Sequence, residues 1–188
     1  SAQNLHEAEK GAYTGEISGA MLREAGCTYV IVGHSERRTL FGEGDDRVNR
    51  KLRSALAAGL KPIFCVGESL REREEGAMET VIERQLKEGL NNLTADDIGL
   101  LVIAYEPVWA IGTGKTASPD QAGEVHRFIR EWIAHRYGPK QAAGLAILYG
   151  GSVTSKNIAE LMAQPDINGA LVGGASLEVD SFVRIIGY

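Results

Sequence analysis

Residues 100–121 read LLVIAYEPVWAIGTGKTASPDQ, and three signals follow one another in them. Leu100 to Tyr105 is a nearly all-aliphatic run, continuous rather than alternating, which suits a strand buried on both faces of a parallel sheet. Ser118-Pro119-Asp120-Gln121 is a helix start, with Ser118 as N-cap, Pro119 at the first helical position and Gln121 at the third. Between them lies 104–117, AYEPVWAIGTGKTA, where a lone carboxylate, Glu106, stands at the strand's C-terminal tip before Pro107 and a glycine-punctuated loop. Strand, polar loop and helix make one βα unit. A carboxylate at a strand tip beside a glycine loop suggests proton transfer under a lid.

The same grammar repeats along the chain. Aliphatic, β-branched runs recur at Thr28 to Val32, Pro62 to Val66, Leu145 to Tyr149 and Ala170 to Val172. Helical patterns lie between them, at Glu16 to Glu24, Asp46 to Ala58, Ser69 to Leu90, Ser118 to Tyr137, Ser155 to Met162 and Asp180 to Ile186. Strand and helix alternating at roughly 30–40 residues per unit mean a parallel α/β protein built of right-handed crossovers, five to six βα units in all. No linker divides residues 1–188, so one domain is expected. A closed eight-stranded barrel takes about 250 residues. By length the chain is an open doubly wound sheet or an incomplete barrel.

Composition narrows the class. The 188 residues are 44% hydrophobic and 24% charged, with a net charge of −5 and no basic run of the kind that binds nucleic acid. No apolar run approaches the roughly 20 residues that cross a bilayer, so no membrane partner is expected. The opening SAQNLHEAEK is too polar for a secretory signal. Cys27 and Cys65 lie far apart in or beside apolar runs and read as reduced, buried thiols. The expected location is the cytoplasm.

In parallel α/β architectures function gathers at the C-terminal ends of the strands. Those ends read Gly33-His34-Ser35-Glu36-Arg37-Arg38, Gly67-Glu68, Glu106, Gly150-Gly151-Ser152 and Gly173-Gly174-Ala175-Ser176. Glu106 has no charged neighbour within eight residues on either side, and an apolar setting raises a carboxyl pKa toward the range of a general base. Glycine pairs at two successive strand ends, with the loop at 112–114, suggest backbone N–H groups that bind one anion. Two nucleotide readings fall away. A P-loop ending in Gly114-Lys115-Thr116 needs glycine at 109, which is Trp109. Gly112, Gly114 and Ala117 fit a dinucleotide fingerprint, but the next strand ends in Tyr149-Gly150-Gly151 without the acidic residue it needs.

Taken together, these residues resemble the triosephosphate isomerase family. The likeness rests on GAYTGEIS at 11–18, YVIVGHSERR at 29–38, CVGE at 65–68, AYEPVWAIGTGKTA at 104–117, and YGGSV at 149–153 with LVGGA at 171–175. It runs from Gln3-Asn4 to the C-terminus. The resemblance implies a (β/α)8 barrel, here incomplete, and interconversion of glyceraldehyde 3-phosphate and dihydroxyacetone phosphate in glycolysis and gluconeogenesis. By the same resemblance Glu106 is the base, His34 the electrophile and Glu36 a supporting carboxylate. The phosphate rests on Gly112, Ser152, Gly173 and Gly174. The lid hinges are Pro107, Val108 and Trp109 on one side and Lys115, Thr116 and Ala117 on the other. No metal or organic cofactor is implied.

The family's Asn-x-Lys strand has no counterpart in this sequence, which corresponds to a barrel lacking its first two βα units and most of its third strand. The open edges at Thr28 to Val32 and Ala170 to Val172 are expected to be covered by an N-terminal piece or by a second copy. The family's dimers further imply that the loop at Thr14 contacts a neighbouring subunit. The alternative reading, an impaired remnant that assembles and binds phosphate ligands without efficient turnover, rests on that lysine.

Overall fold

The computed structural model describes residues 1–111 and 116–188. In chain order the elements are α1 (Gly19–Glu24), β1 (Tyr29–Val32), α2 (Ser35–Leu40), α3 (Asp45–Ala57), β2 (Lys61–Val66), α4 (Leu70–Glu74), α5 (Met78–Gly89), α6 (Ala95–Ile98) and β3 (Val102–Tyr105). After a 3-10 turn at Val108–Ala110 come α7 (Pro119–Tyr137), α8 (Pro139–Gly144), β4 (Ala146–Tyr149), α9 (Ile158–Met162), β5 (Gly169–Ala170), a second 3-10 turn at Gly174–Leu177, and α10 (Val179–Ile186).

All five strands pair in parallel, in the order β1-β2-β3-β4-β5. Each strand neighbours its successor and the order never reverses. A doubly wound sheet reverses at its switch point; an arc of a barrel does not. The barrel alternative is therefore the one that the topology selects.

Alternation along the strands divides the core in two. Val30, Val32, Phe64, Val66, Ile103, Tyr105, Ile147 and Tyr149 face outward and pack with Leu52, Ile82, Leu86, Val125 and Ile129 of the helices. On the other face Ile63, Cys65 and Ala104 are buried, while Tyr29, Ile31, Val102, Leu148 and Leu171 around them are only partly covered. The strands are thus not equally buried on both faces, as their continuous apolar character suggested. The helix side is sealed and the inner side is half open.

Several boundaries differ from the sequence reading. The single helix expected over 69–90 is two, α4 and α5, because the chain turns at Gly76. Its capping box at Ser69 and Glu72 is present. Two short helices follow caps that the reading passed over: α6 starts from a Thr94/Asp97 capping box, and α8 uses Pro139 as its first residue. The last strand is the two residues Gly169–Ala170 rather than 170–172. The free edge expected at β1 is partly paired, since Ala2 donates to Tyr29 O at 2.9 Å and accepts from Ile31 N at 2.9 Å. Among the described residues no helix is long and apolar enough to cross a membrane.

Candidate functional site

Four of the five strand ends converge on one cleft of about 770 Å3, lined by His34, Glu36, Glu106, Gly150 to Ser152 and Gly173-Gly174, with Ile111 among them. Each residue reaches it because it follows the last residue of a parallel strand, where side chains and loop amides point over the end of the sheet.

Glu106 is 2% exposed although its side chain borders the cleft. Its Oε2 accepts the backbone N–H of Ser35 at 2.9 Å, and its Oε1 lies 3.1 Å from His34 Nε2. Burial raises its pKa above the ordinary carboxyl value; the nearby His34 and the Ser35 bond act in the opposite direction without reversing that. Directly beneath it is Cys65, wholly buried, whose thiol is pushed well above its usual value by burial and by the charge of Glu106. The neighbouring backbone leaves no slack. A Cβ on Gly67 would stand 1.7 Å from Glu106 O, and one on Gly150 2.9 Å from Glu106 Cγ. Glycine at these two positions is what lets the strand tips close around the carboxylate.

His34 is the N-cap of α2, a six-residue helix with no helical pattern in the sequence to announce it. Its Nδ1 accepts the backbone N–H of Glu36 at 3.3 Å. Nε2 is then the nitrogen placed to carry the proton, and it faces Glu106, as the bond network assigns it. The Glu36 carboxylate lies at the exposed rim of the cleft, so its part in holding the imidazole runs through its main chain.

A second buried carboxylate anchors the turn that follows β3. Glu68 Oε1 accepts from Tyr105 Oη and Trp109 Nε1, both at 3.0 Å, and Val108 N–H donates to Glu68 O at 3.1 Å. Burial raises the Glu68 pKa, opposed by those donors and by Arg73. Pro107, Val108 and Trp109 therefore leave the strand as a tethered turn. On the far side Thr116 is exposed and Ala117 is buried just before α7. Gly112 and Lys115 lie outside the described residues. On the opposite wall Asn157 Nδ2 holds Ser152 O at 3.0 Å, and Ser176 Oγ donates to Gly173 O at 2.7 Å.

A family model described as triosephosphate isomerase matches residues 1–188. The chain belongs to the triosephosphate isomerase family. The triosephosphate isomerase of Endomicrobium trichonymphae is 59% identical over 187 residues, covering 100% of this chain and 74% of that protein. Those of Carboxydothermus hydrogenoformans (57% over 185 residues, 98% of this chain and 74% of that one) and Moorella thermoacetica (59% over 187 residues, 100% and 75%) are similar.

Of the residues that the family resemblance singled out, His34, Glu36, Glu106, Ser152, Gly173 and Gly174 border the one cleft. Thr14 does not; it is exposed in a turn whose neighbour Tyr13 stacks on His6 at 4.0 Å. Two further residues belong to the site: Ser35, whose N–H binds the carboxylate, and Cys65, which contacts Glu106. Ser35 stood beside His34 in the motif. Nothing local to Cys65 in the sequence tells that it lies under residue 106. Among the described residues no cluster of His, Cys, Asp or Glu is arranged to hold a metal ion.

Proposed function

We propose that the chain isomerises triose phosphates, moving a proton between the two carbons of an aldose and ketose pair. The observation that carries this is the Glu106–His34 pair: a buried carboxylate of raised pKa within 3.1 Å of an imidazole Nε2, at the floor of a cleft walled by two glycine turns.

Glu106 is the base. Its apolar setting raises its proton affinity, which strengthens it for removing a weakly acidic proton from the carbon beside a carbonyl. His34 Nε2–H donates to the substrate oxygen, where charge develops as the enediolate forms. Substrate enters between the two, exchanging their mutual contact for one to carbon and one to oxygen. This division of roles between a glutamate and a neutral imidazole is the one for which the enzyme family is itself a standard example. Glu36 holds the ring through its N–H and adds a carboxylate at the rim. Gly173, Gly174 and Ser152, with Gly112 from the lid, would receive the phosphate on backbone N–H groups. The tethered turn at Pro107 to Trp109 is one hinge, and Lys115, Thr116 and the buried Ala117 are the other. Closure keeps water from an enediolate that would otherwise expel phosphate.

The assembled base and electrophile favour turnover over a remnant that only binds. We also propose self-association through the turn at Thr14, where Tyr13, Ile17 and Met21 leave 48%, 47% and 56% of their surface exposed. A coupled assay of glyceraldehyde 3-phosphate isomerisation on the parent and Glu106→Asp tests the activity. Isomerisation that does not depend on residue 106 rules the mechanism out. Sedimentation of the chain tests the association; a monomer at every concentration excludes it.

A further inference from the structure

Successive peptide groups of a strand address opposite sides. In β2 the even residues address β3, and this pairing continues past the strand's end: Val66 O accepts from Glu106 N at 2.8 Å and Glu68 O from Val108 N at 3.1 Å. The odd residues address β1, which has ended at Val32. Beyond that point their main-chain groups are taken by side chains. Arg38 Nη2 donates to Cys65 O at 3.3 Å. At Gly67 one side chain takes both groups: Gly67 N–H donates to Gln85 Oε1 at 2.8 Å, and Gln85 Nε2 donates to Gly67 O at 2.9 Å.

Gln85 is the one polar member of the buried face of α5, among Met78, Val81, Ile82, Leu86 and Gly89. A buried amide is unfavourable unless its bonds are made, and among the described residues they are made to Gly67. Gly89, one turn on, abuts Phe64 of β2, where a Cβ would stand 2.4 Å from the ring. Gly67 in turn abuts Glu106.

We propose that Gln85 is a positioning residue for the base: by standing in for β1 at Gly67, beyond the end of that strand, it fixes the tip of β2, on which the main chain of Glu106 is laid. This rests on the functional reading above. It assigns to a residue of the outer helix layer, with no atom in the cleft, a part in the reaction.

Gln85→Met keeps length and bulk but removes both bonds. Gln85→Glu keeps an acceptor for Gly67 N–H, but turns a carboxylate oxygen toward Gly67 O until that carboxyl is protonated. Asn49→Leu is the control: Asn49 ties the far end of the same helix through Gly89 O and Asn91 O, both at 2.8 Å, away from the site. Steady-state kinetics, Tm and the Ser35 amide resonance are measured for all three in the full chain; that N–H reports on Glu106 Oε2. Gln85→Met is expected to lose about 10–100-fold in kcat, with KM changed by less than about threefold. Gln85→Glu should regain activity relative to the parent as pH is lowered, and this ratio decides the matter should the methionine variant fail to fold. Asn49→Leu should lose Tm but not kcat. A folded Gln85→Met with parental kcat, a Gln85→Glu ratio flat with pH, or an equal kcat loss in Asn49→Leu at equal Tm loss overturns the proposal. If the parent does not isomerise triose phosphates, the functional reading falls separately. The Ser35 resonance then decides: shifted in Gln85→Met but not in Asn49→Leu upholds the positioning role, and unshifted in both overturns it.

Discussion

Replacing Gly67 with alanine presses on the main chain of Glu106. The added methyl carbon would stand 1.7 Å from Glu106 O and 2.7 Å from its carbonyl carbon, whereas real contacts are essentially never under 3.0 Å. The two strand tips must therefore part by about 1.3 Å at least, the difference between 3.0 and 1.7 Å. The obstacle is backbone, not the far end of a flexible side chain, so rotamer changes cannot absorb it. A displacement of about 1 Å at a reacting group costs on the order of 100-fold in rate, and overpacking of this kind costs about 1–3 kcal/mol of stability. For a chain of this size that is a Tm fall of roughly 2–12 °C. Gly67→Ala should therefore fold, melt earlier and lose ~100-fold in kcat with a smaller change in KM. Gly144→Ala, where a Cβ would meet nothing within 4 Å, should alter neither. Gly67→Ala with kcat within about threefold of the parent would refute the claim that the β2 tip sets the position of the base.

Three further outcomes follow from the same structure. Burial raises the Glu106 pKa above 4.5, so the folded chain holds that proton more tightly than the unfolded one and stability falls as pH rises from 4.5 through the raised value. Glu106→Gln should thus melt higher than the parent at neutral pH and lose that advantage below about pH 4.5, in melts from pH 4 to 8. Burial holds the His126 pKa down to about 4 from 6.5, the opposite case. Stability should fall as pH drops from 6.5 toward 4, by at most about 3 kcal/mol, and His126→Gln should flatten that part of a urea-unfolding profile. Arg130 binds Asp166 Oδ1 at 2.6 Å, Ala142 O at 2.6 Å and Asn168 Oδ1 at 2.8 Å. Arg130→Met should cost about 3 kcal/mol in urea unfolding and leave kcat of the folded chain unchanged.

The strand tips were legible because a parallel sheet puts function after the last aliphatic residue of each strand. His34, Glu106, Gly150 and Gly173 all stand at such points, and all border the cleft. Four of the five strands were legible for the same reason, each an aliphatic run of its own, while the fifth, Gly169–Ala170, lies at the start of its run. What escaped was short or long-range. Helices α2, α6 and α8 have six, four and six residues, too few for a periodic stripe to emerge; only their caps announce them. The inner face of the sheet reads as apolar as the outer one, so its partial exposure could not be told from composition. Cys65 beneath Glu106, and Gln85 behind Gly67, depend on register between segments 41 and 18 residues apart. A helical pattern alone marks Gln85 only as a polar interruption of a buried stripe. Its two bonds give the interruption a reason.

The central claim is that Glu106 carries a proton to and from carbon. Dihydroxyacetone phosphate incubated with the chain in D2O and followed by proton NMR tests it most directly. Isomerisation with deuterium entering at carbon is expected, catalysed by the parent chain and slowed at least ~100-fold in Glu106→Gln. Isomerisation and deuterium uptake at equal rates in the parent and Glu106→Gln would contradict it.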